Sequence, residues 1–210
     1  QRRLEPATYS GPATHNIGAD VTMEKDDLRA LARQKRAQAK KSTTQKQMKS
    51  YGDSLIAFMA KLDKAQVIAA YWPINDEFDC RDLMLKAERC GYDLALPAVV
   101  GPGLPLVFRR YHHGMTLKPG PFQTKHPSAS SDEVVPDIIL CPLLAFEGAG
   151  GRVGYGGGYY DRTLAALKKS QEVLAIGLGF AAQEMDKIPM KPHDMKLDGV
   201  ITEYGFRKLG

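Results

Sequence analysis

The stretch of sequence best suited to chemistry is GRVGYGGGYYDR, which runs from Gly151 to Arg162. With the residues just before it, glycine occupies 7 of the 11 positions from Gly148 to Gly158. Glycine lets backbone N–H groups approach a ligand closely because no Cβ intervenes, and phosphate is an anion that such groups and a following helix N-terminus favour. Arg152 adds a planar, permanently charged fork that suits phosphate oxygens. The stretch therefore predicts a phosphate-binding loop.

Two familiar phosphate motifs have similar glycine spacings. A Walker A loop requires GxxxxGK[ST], and no lysine follows any glycine here, so that mechanism is excluded. A dinucleotide fingerprint can be forced as Gly148-x-Gly150-x-x-x-Gly154, which leaves an NAD(P) oxidoreductase as an alternative. A surface turn without a ligand is a further alternative, although such a turn has no need of the flanking arginine and the paired tyrosines.

Short apolar runs alternate with helical or turn segments along the chain. These runs cover residues 67–74, 93–100, 106–112, 137–146, 173–180 and 199–203. Residues 78–91 and the segment after Asp161 are predicted helices between two runs. The pattern predicts an α/β fold, a Rossmann-like three-layer arrangement in which helices cover both faces of a mainly parallel sheet. The Gly-Pro-Gly turn at 101–103 predicts an antiparallel hairpin.

Two helices are predicted before the first strand. Residues 23–41 combine an apolar stripe with acidic residues at the front and basic residues at the back, which suits the helix dipole. The sequence STTQ, Ser42 to Gln45, matches a capping box and predicts the start of a second helix. The apolar stripe from Met48 to Leu62 predicts that this second helix packs on the core.

Length and composition set the class of protein. With 210 residues, 43% hydrophobic residues and no apolar run near the ~20 residues of a membrane helix, the sequence predicts one soluble domain over 23–210. The Pro, Gly, Thr and Ser content of residues 1–22 predicts a tail that is either disordered or added artificially. The three cysteines, Cys80, Cys90 and Cys141, form no CxxC pattern, so we expect buried thiols in a reducing cytoplasm and no zinc site.

Positive charge is concentrated near the N-terminus. Residues 1–50 hold 11 Lys and Arg against 5 Asp and Glu, whereas the rest of the chain holds 18 against 19. This basicity suits an anionic ligand, and it leaves a nucleic-acid-associated binding module as an alternative. The interleaved aromatic residues of such modules are missing, so we expect no nucleic acid and no membrane among the partners.

The sequence GGRVGYGGGYYDR closely resembles the signature of the 5-formyltetrahydrofolate cyclo-ligase family. The resemblance extends over residues 24–203, and its other parts, KDDLR at 25–29, YWPINDEFD at 71–79 and IPMKPHDMKLDGVITE at 188–203, follow in the expected order. It implies conversion of 5-formyltetrahydrofolate to 5,10-methenyltetrahydrofolate with Mg²⁺ and ATP, release of ADP and phosphate, and a phosphorylated formyl intermediate of the imidate type. A monomer or weak homo-oligomer is expected.

The resemblance also implies site residues. ATP would be bound by Lys25, Arg29, Arg152, Gly154, Gly156, Gly157 and Gly158. The reduced folate would contact Trp72, Glu77, Tyr155 and Tyr159, with Arg152 and Tyr159 as the catalytic residues. Mg²⁺ would be held by Asp161 and Asp194. The structural alternatives are a solvated charge pair for Lys25 and Arg29, a core position for Trp72, a surface acid for Glu77, a helix cap for Asp161 and a turn residue for Asp194.

Overall fold

The computed structural model describes residues 25–62 and 66–210. The predicted tail, residues 1–22, and the predicted helix start at Met23 lie outside the described residues. The helices are α1 (Lys25–Ser42), α2 (Gln45–Met59), α3 (Arg81–Arg89) and α4 (Tyr159–Leu167). The strands are β1 (Val67–Ala69), β2 (Asp93–Ala98), β3 (Val107–Tyr111), β4 (Lys118–Pro119), β5 (Lys125–His126), β6 (Ile138–Pro142), β7 (Ala145–Phe146), β8 (Arg152–Val153), β9 (Leu174–Leu178), β10 (Gly199–Thr202) and β11 (Gly205–Lys208).

Seven strands form the central sheet, in the order β11-β10-β9-β6-β1-β2-β3. The five strands in the middle are parallel to one another. The predicted antiparallel hairpin is confirmed by the pairing of β2 with β3. A second antiparallel strand, β11, begins at Gly205 (φ 111°) after a tight turn and was not predicted, because its four residues carry little apolar pattern.

Alternate residues along the central strands face opposite sides of the sheet, as the period of two requires. Ile138 and Leu140 pack in one cluster with α2 and α3, whereas Ile139 and Cys141 pack in another with α4. Helices therefore cover both faces, and the predicted three-layer α/β fold is confirmed.

The sheet has a topological switch point between the neighbouring strands β1 and β6, because the chain extends the sheet in opposite directions from them. From β1 it passes through α3 to β2 on one side, and from β6 it passes through α4 to β9 on the other. In open α/β sheets, ligands bind outside the carboxyl ends of the strands at such a switch point. This topology marks the ends of β1 and β6 as the place for a site.

The cap of α2 differs from the prediction. The structure forms the capping box at Thr44, whose hydroxyl accepts a hydrogen bond from the Gln47 N–H at 3.3 Å, while Gln47 Oε1 accepts one from the Thr44 N–H at 2.9 Å. The predicted box at Ser42–Gln45 is wrong by two residues, because α1 continues through Ser42.

Cys80 and Cys141 are buried, as predicted, but the same prediction is wrong for Cys90. Cys90 is exposed because it caps the C-terminus of α3, where the chain turns at the surface. In the described part of the chain, every helix is too short or too polar to cross a membrane.

Candidate functional site

A cleft of about 560 Å³ opens where the central strands end. Trp72 follows β1, Val99 follows β2 and Pro142 ends β6, and all three line the cleft. Every predicted site residue whose side chain is described, together with the predicted glycines, lines this same cleft: Arg29, Trp72, Glu77, Arg152, Gly154, Tyr155, Gly156, Gly157, Gly158, Tyr159, Asp161 and Asp194. Lys25 begins α1, but its side chain lies outside the described residues, so its contact with ATP stays a prediction.

The glycine-rich stretch is two structures rather than one loop. Its first part is a tight hairpin in which β7 pairs with β8 and the Glu147 N–H donates to the Gly151 carbonyl at 3.0 Å. Its second part, 154–158, continues along the cleft from Arg152 and Val153 of β8 and leads into α4, with Gly158 as the N-cap at φ 64°. The forced dinucleotide fingerprint is therefore wrong, because Gly148 and Gly150 lie in the hairpin turn and not at the start of a helix.

Helix α1 contacts the glycine loop through Arg29. The Arg29 Nε donates to the Gly154 carbonyl at 3.2 Å, and Nη1 pairs with Asp26 at 2.5 Å. A Cβ at Gly156 would lie 3.3 Å from Arg29 Nη2, so the loop passes directly against the guanidinium. Arg29 therefore brings positive charge from α1 to the loop that was predicted to hold phosphate.

Arg152 and Asp161 lie side by side in the cleft wall. Arg152 Nη2 and Asp161 Oδ1 are 2.8 Å apart, and Arg152 Nη1 donates to the Met195 carbonyl. Asp161 Oδ1 also accepts the Met195 N–H at 2.9 Å. In the described structure these hydrogen bonds, and none to the N–H groups of α4, occupy Asp161, so the helix-cap alternative is not supported.

Asp161 and Asp194 both place carboxylates in the cleft. Asp194 closes a turn in which its Oδ2 accepts the Lys191 N–H at 2.7 Å, so the turn alternative describes part of its environment. The described residues contain no cluster of three or more His, Cys, Asp or Glu side chains able to hold a metal by themselves. Mg²⁺ commonly takes one or two carboxylates together with substrate phosphates, so two aspartates in one cleft fit that ion with a nucleotide.

Aromatic side chains line the other half of the cleft. Trp72 packs partly on the core, and the Nζ of Lys125 lies 5.7 Å from its ring centroid. The Tyr159 ring lies 6.1 Å from that of Phe122, which is 65% exposed. Phe122 and Lys125 were not predicted as site residues, because the short pieces β4 and β5 around them give no periodic signal. Trp72 therefore lines the cleft, as predicted, and also packs against the core, as in the structural alternative.

Glu77 is buried at the edge of the cleft, with 4% of its surface exposed, so the surface-acid alternative is wrong. Its Oε2 accepts the Ile74 N–H at 2.8 Å. Burial raises the pKa of Glu77 to about 7, although the Ile74 N–H, Arg36, Lys40 and the Tyr155 hydroxyl each oppose that rise. A carboxyl group with such a pKa populates both its protonated and its ionised form near neutral pH.

Part of the positive charge of the N-terminal region is directed into the protein. Besides Arg29, Arg36 donates to the Tyr155 hydroxyl, and the Lys40 Nζ donates to the carbonyls of Asn75 and Glu77, each at 3.2 Å. Arg36 and Lys40 were not predicted as site residues. Their spacing from Arg29 places all three near one face of α1, so this helical pattern could have indicated them. The contacts of this face give a nucleic-acid surface no support.

Comparison with known proteins gives one consistent result. Residues 21–203 match the sequence model of the 5-formyltetrahydrofolate cyclo-ligase family. The chain is 32% identical over 146 residues to the 5-formyltetrahydrofolate cyclo-ligase of Escherichia coli K12, which covers 66% of this chain and 78% of that protein. It is 27% identical over 183 residues to the protein of the same name from Mycoplasma genitalium, covering 85% and 98%.

The fold has a solved counterpart as well. The NMR structure of 5,10-methenyltetrahydrofolate synthetase from Aquifex aeolicus is similar with a TM-score of 0.70 and 28% sequence identity, covering 89% of this chain and 93% of that one. The resemblance carried by the glycine-rich stretch is therefore confirmed, and the chain belongs to the 5-formyltetrahydrofolate cyclo-ligase family.

Proposed function

We propose that this protein converts 5-formyltetrahydrofolate to 5,10-methenyltetrahydrofolate with Mg²⁺ and ATP, releasing ADP and phosphate. The observation that carries the proposal is the assembly of phosphate-binding, carboxylate and aromatic groups in one cleft of a chain of this family. The same observations favour this function over an NAD(P) oxidoreductase and over a nucleic-acid-binding module.

The triphosphate lies, in this proposal, on residues 154–158 at the N-terminus of α4. Backbone N–H groups there meet oxygens at close range because glycine carries no Cβ, and the helix dipole adds positive potential. Arg29 and Arg152 flank the loop and supply the full charges. Lys25 precedes Arg29 by one turn and is assigned to the same ligand.

Asp161 and Asp194 would hold Mg²⁺ beside these phosphates. When bound, Mg²⁺ neutralises charge on phosphate oxygens and helps to fix their orientation. The residues around it prepare the same site: Arg152 holds Asp161 in place, and the 191–194 turn holds Asp194.

The reduced folate lies against Trp72, Tyr155 and Tyr159 in this proposal. Flat rings stack favourably on aromatic side chains. Glu77, in its ionised form, accepts hydrogen bonds from the amino and ring N–H groups of the pterin. Tyr159 is adjacent to the glycine loop, so it bridges the folate and the phosphates and is assigned a catalytic role with Arg152.

The reaction needs alignment and charge stabilisation more than a protein nucleophile. The formyl oxygen attacks the γ-phosphorus and ADP departs, which leaves a phosphorylated imidate-type carbon. N10 of the folate attacks that carbon, the C–O bond to phosphate breaks, and N10 loses its proton as the ring closes. Arg152 stabilises the negative charge that develops on the transferred phosphoryl oxygens.

A cytoplasmic location and a monomeric or weakly self-associating state complete the proposal. The free thiols of Cys80, Cys90 and Cys141 suit a reducing compartment.

The test is incubation of the purified protein with 5-formyltetrahydrofolate, ATP and Mg²⁺. Methenyltetrahydrofolate should appear as absorbance near the ultraviolet edge of the visible, with ADP in equal amount. Reactions without ATP or with a chelator should stay blank. Lack of ATP-dependent product over the whole pH range in which the protein is folded would reject the proposal.

A further inference from the structure

Arg36 is a buried arginine that lies behind the cleft rather than in its wall. It is 2% exposed, and its hydrogen bonds go to neutral oxygens: Nη2 donates to the Tyr155 hydroxyl at 2.6 Å and Nη1 to the Leu143 carbonyl at 3.4 Å. Its Nε makes no hydrogen bond within the described residues. Burial of a charge with incomplete hydrogen bonding is costly, and an apolar side chain would fill the same space without that cost.

The hydrogen bond from Arg36 restricts where the hydroxyl hydrogen of Tyr155 can point. A guanidinium can only donate, so the Tyr155 oxygen must accept from Arg36 and its own hydrogen must point elsewhere. Tyr155 and Glu77 line the same cleft, and the Arg36 charge and the Tyr155 hydroxyl both lower the pKa of Glu77 against the effect of its burial. Burial raises the pKa of Tyr155, so the hydroxyl keeps its proton and remains a hydrogen-bond donor on the cleft side.

Glu77 has charged or titratable neighbours on each element packed around it. They are Arg36 and Lys40 on α1, Tyr155 in the glycine loop, Tyr160 on α4, and Tyr71 and Cys80 on its own segment. Of these only Arg36 and Lys40 are cationic, and Arg36 also donates a hydrogen bond to the Tyr155 hydroxyl. A carboxylate in this place accepts N–H groups in pairs, which is the donor pattern of the pterin edge.

We propose that Arg36 is a positioning residue for substrate recognition: it orients the Tyr155 hydroxyl toward Glu77 and thereby holds Glu77 as the carboxylate that receives the pterin N–H groups. This inference rests on the proposed function for the identity of the ligand. It assigns to a residue outside the cleft a part in folate binding that the glycine-rich signature does not contain.

The experiment compares Arg36→Met with Arg33→Met. Arg33 is on the same helix, and its guanidinium carbon lies 6.0 Å from the Tyr155 ring centroid against 5.4 Å for Arg36, but Arg33 is exposed. Arg36→Met should raise the KM for folate at least about tenfold, the loss of one charged hydrogen bond. It should also move the acidic limb of kcat/KM to higher pH. Arg33→Met should change neither quantity.

Two further variants guard against a simple packing defect. Arg36→Lys keeps the charge and should restore the acidic limb of the profile toward the wild-type position. Tyr155→Phe removes only the hydroxyl and should move the limb upward, as Arg36→Met does. A folded Arg36→Met protein with the pH profile of Arg33→Met would overturn the inference, and so would a Tyr155→Phe profile that matches the wild type.

A measurement without substrate separates this inference from the proposed function. Carbon-13 NMR of glutamate-labelled protein, with Glu77→Gln to assign the resonance, gives the titration midpoint of Glu77 directly. The midpoint should rise in Arg36→Met and stay unchanged in Arg33→Met. Equal midpoints in the two variants would overturn the role of Arg36 even if the protein proves to be an active cyclo-ligase. A protein that forms no methenyl product would reject the proposed function while leaving this result to decide whether Arg36 sets the titration of Glu77.

Discussion

Arg152 and Asp161 form an ion pair, 2.8 Å between Nη2 and Oδ1, that joins β8 to α4 in the wall of the cleft. The sequence resemblance assigned them to different ligands, one to phosphate and the other to Mg²⁺. The structure shows that each is also the partner of the other. Mg²⁺ and ATP would therefore meet a positive and a negative group that are already aligned, which lowers the reorganisation needed on binding.

Substitution of Arg152 should impair both turnover and stability. Arg152→Met is expected to lower kcat about 100-fold or more, because one preorganised charge-stabilising donor is lost. It should also lower the free energy of unfolding by about 1–3 kcal/mol, because Asp161 loses its partner in a largely buried place. Steady-state kinetics and urea unfolding measure the two effects.

The control for this substitution is Arg110→Met. Arg110 pairs with Asp93 at the same distance, 2.8 Å, but both side chains are exposed and lie outside the cleft lining. Exposed pairs contribute about 0–1 kcal/mol, so the control should stay near wild type in both measurements. Unchanged turnover in Arg152→Met would place Arg152 away from the reacting phosphate.

The two aspartates should control the requirement for Mg²⁺. Asp161→Asn and Asp194→Asn are each expected to raise the Mg²⁺ concentration for half-maximal activity at least about tenfold, because an amide is a weaker ligand than a carboxylate. Asp53→Asn is a suitable control, since Asp53 lies on α2 as an exposed partner of Lys86. Metal titrations that coincide for the parent and both cleft variants would remove these residues from the metal site.

Much of the architecture was predictable because its signals are local. Each central strand lies in a short apolar run, and Trp72 stands near the end of the run 67–74, which is why a ligand site was expected there. Pairing within the glycine-rich stretch was not predictable, because β7 and β8 contribute only two residues each and glycine hides their alternation.

Contacts between distant parts of the chain explain the remaining omissions. Arg36 meets Tyr155 across 119 positions of sequence, and a charged residue on a helix gives no sign of its own that it is buried. The exposed state of Cys90 likewise depends on where α3 ends, not on the type of residue. Such features require the packed structure.

Substitution of the loop glycines by alanine should have two kinds of effect, one on ATP binding alone and one on both ATP binding and stability. A Cβ added at Gly154 would meet nothing within 4 Å, and the backbone there lies outside the left-handed region, so Gly154→Ala should leave the free energy of unfolding unchanged. If phosphate approaches that backbone, the KM for ATP should nevertheless rise about tenfold, equivalent to about 1.4 kcal/mol. Gly156 has a φ of 99° and lies against Arg29, so Gly156→Ala should also lose about 1–2 kcal/mol of stability.

Gly91→Ala separates backbone strain from ligand contact. Gly91 has a φ of 90° with open space around it and follows α3, outside the cleft lining. Its substitution should lower stability as Gly156→Ala does while leaving the KM for ATP unchanged. Equal KM values for ATP in the parent and in Gly154→Ala would argue against a nucleotide on this loop.

Glu77 should make the stability of the ligand-free protein depend on pH. Burial raises its pKa from 4.5 to about 7, so between these values the folded protein holds a proton that the unfolded chain has released. Its contribution to the free energy of unfolding therefore falls as pH rises through that window, by on the order of 3 kcal/mol in total. The free energy of unfolding of Glu77→Gln should not fall in this way. In urea unfolding the variant should therefore become more stable relative to the wild type as pH rises from about 5 to about 8. Glu172→Gln, at an exposed site, should follow the wild-type curve; a Glu77→Gln curve parallel to the wild type would show that Glu77 titrates in the folded protein as it does in the unfolded chain.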